Sequence, residues 1–574
     1  MKKISSLLLL VLLLAGCYED LGNYDYTLDS MNEITAVTFT PSVVRSASGD
    51  IIEVQQALDE SDTRRRVDAV VEQTLAQDFE ALEFYWFRTY ADENGEAVQD
   101  TIRTKGYLEF DLPVGKAMSY NVFLQIYDST TDLSHYSGFT IKTRPVFKNS
   151  LFVMHGADGN RKIGNIEVIG NETKIYTDVK KVTKDNNHYE NAKGFAYTTY
   201  INIPDNLSNI GETSALTVFC DNGETRAYDP HGMNVKFTSS QIFKPGSESF
   251  SYRKTVQTGD PSNYTLYKVA LTDNGEVYVG NVVQALYKPG HGCENAVDVG
   301  HQTDYEITAA TITHNRFLMW DAKNGRFLYA AKEDGGFAID EGNSIKPSYV
   351  SRNPLLDAHV RFQGLQRSPA DMTAVMGYIN YRDNYSQQNP YFIFKDEESG
   401  DYYRYELLMQ NIGDGSKVRR SRTADGEEEI LSAYTIVGEK KLTGLTPTDM
   451  STITYNSWFT TTNLFFAEGN TVYRYNVSNG DKFVVYEAPE GYDVTKIKFR
   501  TEDSSAFSSD LGLHLNIVMF NGTNGAVAEI KFTTAADVDT DFAPLFYDKD
   551  NEGNPWGEIK DIIFVNEYAY EMVY

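Results

Sequence analysis

What most restricts the fold of this chain is a hairpin that recurs through everything after residue 145. An apolar run leads into a short turn of Gly, Asn or Asp, and a second run, often bearing Tyr, returns. It reads LFVMHGADGNRKIGNIEV (151–168), SALTVFCDNGETRAYDP (214–230), LYKVALTDNGEVYVGN (266–281) and NRFLMWDAKNGRFLYAA (315–331). The longer MGYINYRDNYSQQNPYFIFKDEESGDYYRYEL (376–407) follows, then TTNLFFAEGNTVYRYNV (461–477) and LHLNIVMFNGTNGAVAEIKF (513–532). These turn residues accept the positive φ that a tight hairpin needs. A spacing of about 50 to 70 residues leaves room for four strands per unit, as in a β-propeller with loops of unequal length. Seven blades are expected, with six or eight as neighbours of that number. The final segment, EIKDIIFVNEYAYEMVY (558–574), has no turn after its strand. It is expected to pair with the first unit and remove an open edge. Two further β-sandwiches are the competing architecture, and hairpins made of neighbouring strands favour the propeller.

A different rhythm precedes Arg144-Pro145, where Pro cannot continue a central strand. Short alternating segments run through ITAVTFTP (34–41), LEFYWFRTY (82–90), YLEFDLP (107–113), SYNVFLQIYDSTT (119–131) and YSGFTIKT (136–143). Alternation with turn punctuation such as Asn94-Gly95 predicts a small β-sandwich over 31–145. Asp59 to Ala81 is rich in charges and helix formers, so a helix is expected to interrupt it. Trp86, Trp320 and Trp458 lie in or beside strands and are assigned to the core. The fold class is therefore all-β, a sandwich followed by a propeller over 146–574. Aromatic residues make up 13% of the chain, enough apolar area for such cores.

The formal charge of −29 repels phosphate backbones and anionic headgroups, which excludes nucleic acid and direct membrane-surface binding. Besides Cys17 there are only Cys220 and Cys293, which are read either as buried thiols or as one disulfide. The sequence holds no CxxC, HExxH, GxSxG, P-loop or helix-opening GxGxxG. His291 and His301 flank Cys293, but their ten-residue gap is unlike zinc spacing and reads as a long loop. Asp548, Asp550 and Glu552 precede Gly553 with alternating oxygens, a weak calcium-loop candidate against an ordinary acidic turn. No catalytic residue and no cofactor other than that calcium is assigned.

The stretch from Tyr378 to Tyr391 concentrates Tyr381, Arg382, Tyr385, Gln387, Gln388 and Tyr391 in what reads as a polar loop. Exposed aromatics beside amides and Arg suit sugar rings and their hydroxyls. The bland alternative is that these tyrosines cap sheet edges.

The N-terminus, MKKISSLLLLVLLLAGCYED, has a cationic start and an apolar run too short to span a bilayer. Leu14-Ala15-Gly16-Cys17 resembles a bacterial lipoprotein lipobox, the alternative being an ordinary secretory peptide over 1–16. The resemblance implies a chain lipidated on Cys17, with 17–30 as an acidic tether and the lipid as its only membrane attachment. Removing Lys2 and Lys3 with the signal peptide would take the charge from −29 to −31. Glu19-Asp20 resembles the signal that directs lipoproteins to the outer face of the outer membrane, the alternative being a generic polar linker. The run Tyr85-Trp86 and the later Tyr120-x-Val122-x-Leu124-x-Ile126-x-Asp128 resemble PKD-like and immunoglobulin-like modules. Taken whole, the chain resembles the PKD-like family lipoproteins encoded beside SusC/SusD-type transporters in gut bacteria. That implies an accessory surface protein capturing a glycan or peptide for a TonB-dependent transporter, and it carries over no catalytic residue. Asp29-Ser30-Met31, Asp100-Thr101-Ile102 and Asp128-Ser129-Thr130 look like O-glycosylation sequons of such bacteria. A propeller-type polysaccharide hydrolase or lyase, and a purely structural docking subunit, are the other readings.

Overall fold

The computed structural model describes residues 32–566 apart from 47–48, 58–60, 62, 75–80, 92–95, 105, 113–117, 170–171, 184–187, 206–208, 222–223, 243–250, 259–266, 282–303, 313–315, 332–354, 380–388, 411–419, 423–427, 431, 457–458, 460–462 and 503–510. The chain is all-β with very little helix. It divides into two compact units, Met1–Val146 and Phe147–Tyr574.

Two sheets build the first unit. Its strands are β1 (Ile34–Thr40), β2 (Val44–Ser46), β3 (Gly49–Gln55), β4 (Arg64–Gln73), β5 (Leu82–Ala91), β6 (Ala97–Thr104), β7 (Tyr107–Asp111), β8 (Ser119–Asp128) and β9 (Leu133–Arg144). One sheet has the order β1-β4-β7 and the other β2-β3-β9-β8-β5-β6. Strands β3 and β9 run parallel, and the other pairs are antiparallel. The alternation Tyr120, Val122, Leu124, Ile126 points inward, and all four are buried. Trp86 is fully buried, in edge contact with Phe39 and Phe139, and its indole N–H donates to Thr104 Oγ1 at 3.1 Å. Burying an aromatic of that size is worth about 3 kcal/mol. Trp86 thus belongs to the core, as its strand position predicts.

The helix expected within Asp59–Ala81 is replaced by strand β4. Val67 and Val71 are buried and Ala69 half-buried, while Arg64, Arg66 and Val70 face solvent. A pair of valines four apart fits a helical face as well as a pleat. Pairing with β1 on one side and β7 on the other decides for the pleat.

Among the described residues the second unit holds seven sheets of three or four strands in chain order, and a two-stranded ribbon of Arg420–Arg422 and Glu428–Ile430 beside the fifth in sequence. The first joins Ser150–His155, Lys162–Ile169 and Glu172–Tyr176 to the distant Ile559–Val565. The second has Ala192–Asp205, Asn209–Cys220, Arg226–Tyr228 and Val235–Phe237, and the third Tyr252–Thr258, Tyr267–Thr272 and Val277–Asn281. The fourth is Ile307–Ile312, Arg316–Asp321, Arg326–Ala331 and Leu356–Asp357, and the fifth Thr373–Ile379, Pro390–Lys395, Tyr402–Met409 and Tyr434–Lys441. The sixth is Ile453–Tyr455, Asn463–Glu468, Thr471–Asn476 and Lys482–Glu487, and the seventh Asp493–Phe499, His514–Phe520, Gly525–Lys531 and Leu545–Tyr547. Each recurring hairpin of the sequence is a pair of neighbouring antiparallel strands here. At Gly275, Gly325 and Gly469 the turn has φ of 77°, 59° and 60°, which an L side chain rarely adopts.

Each sheet packs on the next. Phe219 stacks on Tyr252 between the second and third, with centroids 4.5 Å apart. Trp320 meets Phe394 edge-on at 4.8 Å between the fourth and fifth, and Tyr378 meets Tyr455 at 4.7 Å between the fifth and sixth. Phe465 and Phe499 join the sixth to the seventh at 5.1 Å. The seventh in turn packs on the first, where Val518, Val527, Tyr547 and Trp556 share a core with Leu151, Val153 and Ile166. The C-terminal strand pairs with Ser150–His155 from Ser150↔Val565 to His155↔Ile559, as its missing turn predicts.

Candidate ligand-binding surface

The polar stretch picked out by sequence divides on inspection. Tyr378 and Tyr391 are not loop residues: they face one another as a cross-strand pair in the fifth sheet, rings stacked at 5.2 Å. Tyr378 is buried, and the Arg404 guanidinium lies 4.7 Å over the Tyr391 ring. Two tyrosines packed across adjacent strands contribute about 0.5–1.5 kcal/mol beyond their buried area, so these two hold the sheet together. Tyr381, Arg382, Tyr385, Gln387 and Gln388 lie outside the described residues, as do Cys17, Cys293, His291, His301 and Trp458. Trp320 is core, and Cys220 is a buried free thiol whose pKa burial pushes up to about 12.

In the acidic turn, Asp550 is buried while Glu552 is exposed. The Asp550 carboxylate accepts the backbone N–H groups of Glu552 and Asn554 at 3.0 and 2.8 Å, the Asn554 amide, and the Thr177 hydroxyl at 2.8 Å. The Lys181 ammonium binds Glu552 at 2.8 Å. Burial alone would raise the Asp550 pKa, but these donors outweigh it and hold the carboxyl at about 2. Donors occupy both oxygens of Asp550, and the turn ties the seventh sheet to the first through Thr177 and Lys181. Among the described residues no group of three or more His, Cys, Asp or Glu is placed to hold a metal ion.

Buried charges elsewhere in the second unit are paired. Asp561 lies between Lys496 and Lys498 at 3.0 and 3.4 Å and accepts the Phe195 N–H at 2.9 Å. Glu529 is held by Arg500 at 2.7 Å and by His514. Burial acts to raise the carboxyl of Glu529, and Arg500 and His514 bring it below its ordinary range. A hollow of about 420 Å³ between the fifth and sixth sheets includes Lys395, Glu397 and Asp449. Lys395 and Glu397 pair at 2.9 Å, and Asp449 caps the 3-10 turn Met450–Thr452. These carboxylates organise backbone and neighbouring sheets.

An open surface of another character lies on the solvent face of the six-stranded sheet in the first unit. It follows from the same alternation that fills the core: if Tyr120, Val122 and Leu124 point in, then Asn121, Phe123 and Gln125 point out. Phe123 is 45% exposed and Tyr136 56% exposed, unusual for aromatics set in the middle of a sheet. Phe123 stacks on Tyr136 at 5.5 Å and 25°, and Phe87 lies 6.2 Å beyond it on the adjacent strand. Opposite Phe123 stands Gly138, which adds no side chain. A shallow hollow of about 740 Å³ opens there, lined by Phe87, Phe123, Asn121, Gln125, Gly138 and Thr140 among others. Gln125 Nε2 donates to Ser134 Oγ at 3.0 Å, and the Thr140 hydroxyl donates to the Asn121 side-chain Oδ1 at 3.3 Å. Sequence reading followed only the inward half of β8. A large aromatic at an outward position of an otherwise polar face was the signal for the other half.

Residues 17–196 match the model of the PKD-like family, so the N-terminal domain is PKD-like. The match runs beyond the sandwich into the second sheet of the second unit. No curated protein is similar enough to count as a relative. Among solved structures, a quinonprotein alcohol dehydrogenase-like protein from Bacteroides thetaiotaomicron shares 10% identity at TM-score 0.33, covering 90% of this chain and 96% of its own. An auxiliary nutrient binding protein from the same organism has 10% identity and TM-score 0.20 over 77% of this chain and 86% of that one. The extracellular domain of a hybrid two-component system, again from B. thetaiotaomicron, has 9% identity and TM-score 0.22 over 78% and 75%.

Proposed function

We propose that this chain is a lipid-anchored, surface-exposed accessory protein that binds a glycan or peptide for a SusC/SusD-type TonB-dependent transporter. The observation that carries the reading is the cluster of the exposed Phe123 and Tyr136 with the half-buried Phe87 on one face of the sheet. Exposed rings fixed by the backbone of a central strand bind without first paying an ordering cost. The lipobox-like Leu14-Ala15-Gly16-Cys17 and the acidic Glu19-Asp20 supply the anchor and its outward address. Burial of acyl chains is worth about 0.8 kcal/mol per methylene, so several on Cys17 make attachment effectively permanent. The PKD-like domain fits the same class of protein.

In this reading the second unit is a seven-bladed β-propeller. Support comes from seven sheets that each pack on the next, the seventh on the first, and from a C-terminal strand that completes the first sheet. Closure of this kind leaves no long open edge on a surface protein. The carboxylates of Asp561, Glu529 and Asp550 are each held by cations or amides, which favours a scaffold over a hydrolase or lyase. No cofactor is invoked.

Two experiments test the proposal. Cys17→Ala should move the protein from the membrane fraction to the soluble one, and retention in the membrane would refute the lipid anchor. Pull-down of the native chain from solubilised outer membrane should recover a transporter pair. Recovery of neither a transporter nor a bound oligomer would sink the accessory-binder reading.

A further inference from the structure

We infer that the hollow over Gly138, walled by Phe123, is a binding site for a neutral oligosaccharide. The inference rests on the accessory-binder reading and narrows its ligand from glycan or peptide to uncharged glycan. Three properties of the face lead there.

The first is backbone saturation. β8 is paired along its length with β5 on one side and β9 on the other. Its N–H and C=O groups are therefore used within the sheet, and an extended peptide has no edge to join there. Recognition at this spot must come from side chains alone.

The second is the chemistry of those side chains. Across the sheet, one row reads Thr101, Phe87, Phe123, Gly138 and the next reads Gln99, Thr89, Asn121, Thr140. The aromatic row offers flat apolar surface, and the row beside it offers amides and hydroxyls that both donate and accept. A pyranose presents the same pair of features, a C–H face and a rim of hydroxyls. Gly138 gives the ring room to approach the sheet. A Cβ added there would meet Phe123 Cδ2 at 3.7 Å and otherwise project into the hollow.

The third is charge. The chain carries −29, yet the hollow includes one charged side chain, Asp50, which lies 3.9 Å from Arg45. Arg103, one row further along the sheet, is paired with Glu83 at 2.6 Å. An anionic glycan would meet Asp50 and find no Lys or Arg among the lining residues of the hollow, whereas a neutral glycan needs none.

The test is calorimetric titration of the full-length chain in detergent with neutral hexasaccharides (malto-, cello-, xylo- and manno-series) and with polygalacturonate. At least one neutral series should bind, and polygalacturonate should not. Phe123→Ala and Tyr136→Ala should each weaken binding about tenfold, the scale of one lost stacking contact. Gly138→Val should weaken binding at least tenfold by raising the floor of the hollow beside Phe123, and Phe123→Tyr should retain it. Thermal melts of all four variants check that the sandwich stays folded. If a neutral glycan binds the wild type and every variant equally, the site assignment falls while the accessory-binder reading stands. If only polygalacturonate or a tryptic peptide pool binds, the neutral-glycan assignment is overturned. If nothing binds although the transporter is recovered in the pull-down, the site is overturned in favour of a docking role.

Discussion

In the N-terminal unit the strands alternate, and β8 runs exposed and buried by turns from Ser119 to Asp128. In the C-terminal unit Ser150–His155 is buried at every position, and His514–Phe520 at all but its last. A sheet with one wet face reads with a period of two, whereas a sheet covered on both faces reads as a continuous apolar run. The difference divides the labour of the molecule. The sandwich leaves one face of its larger sheet in solvent, while the inner strands of the second unit, such as Ser150–His155 and His514–Phe520, are covered on both faces.

The second unit is most vulnerable at its closing strand. Deleting 558–574 removes the buried Ile562, Ile563 and Phe564 and uncovers Leu151, Val153 and Ile166, which pack with that strand, a loss of more than about 5 kcal/mol. Calorimetry should show the transition of the second unit lost and that of the first retained; loss of both would mean the units do not unfold separately. Trp86→Ala should do the converse, costing the sandwich about 3–5 kcal/mol and leaving the second transition in place.

Asp561→Asn removes the charge facing Lys496 and Lys498 and should cost the second unit about 3 kcal/mol. Burial alone would raise its carboxyl, but the two ammonium groups and the Phe195 N–H hold it at about 2, against an ordinary 3.8. A depressed folded value stabilises above the unfolded one, so this contribution is complete above about pH 4 and is lost as pH falls towards 2. Acid titration of the second unit should therefore flatten in Asp561→Asn, and an unchanged profile would remove Asp561 from the account. The smallest effect belongs to the open face: Phe123→Ala should shift sandwich stability by less than about 1 kcal/mol, read by urea denaturation. A large loss would mean that the ring serves the fold and not a ligand.

The hairpins were legible in the sequence because turn chemistry is local: Asn274-Gly275 and Asn324-Gly325 specify their own backbone. The closing strand was legible because a terminal apolar run with no returning partner needs one elsewhere. Strand β4 was not, since Val67 and Val71 satisfy helix and pleat alike and only β1 and β7 decide between them. Nor was the parallel pairing of β3 with β9, a contact between distant segments that leaves no local mark. Tyr378 and Tyr391 misled for a related reason. Their polar setting reads as a loop, while their cross-strand partnership is a property of register. The Phe123 face was half visible, because the alternation that identified the core also fixed which side chains were left outside.

The clasp between the two ends of the second unit also governs when that unit can form. The Gly557 N–H donates to His155 Nδ1, a contact 402 positions apart along the chain. Closing so long a loop is slow compared with forming a hairpin, and here it joins almost the first segment of the unit to almost the last. A chain still being synthesised would hold Ser150–His155 as an open edge until Ile559–Val565 arrives. Over that interval the unit would be most open to proteases and to chaperones that recognise bare strands.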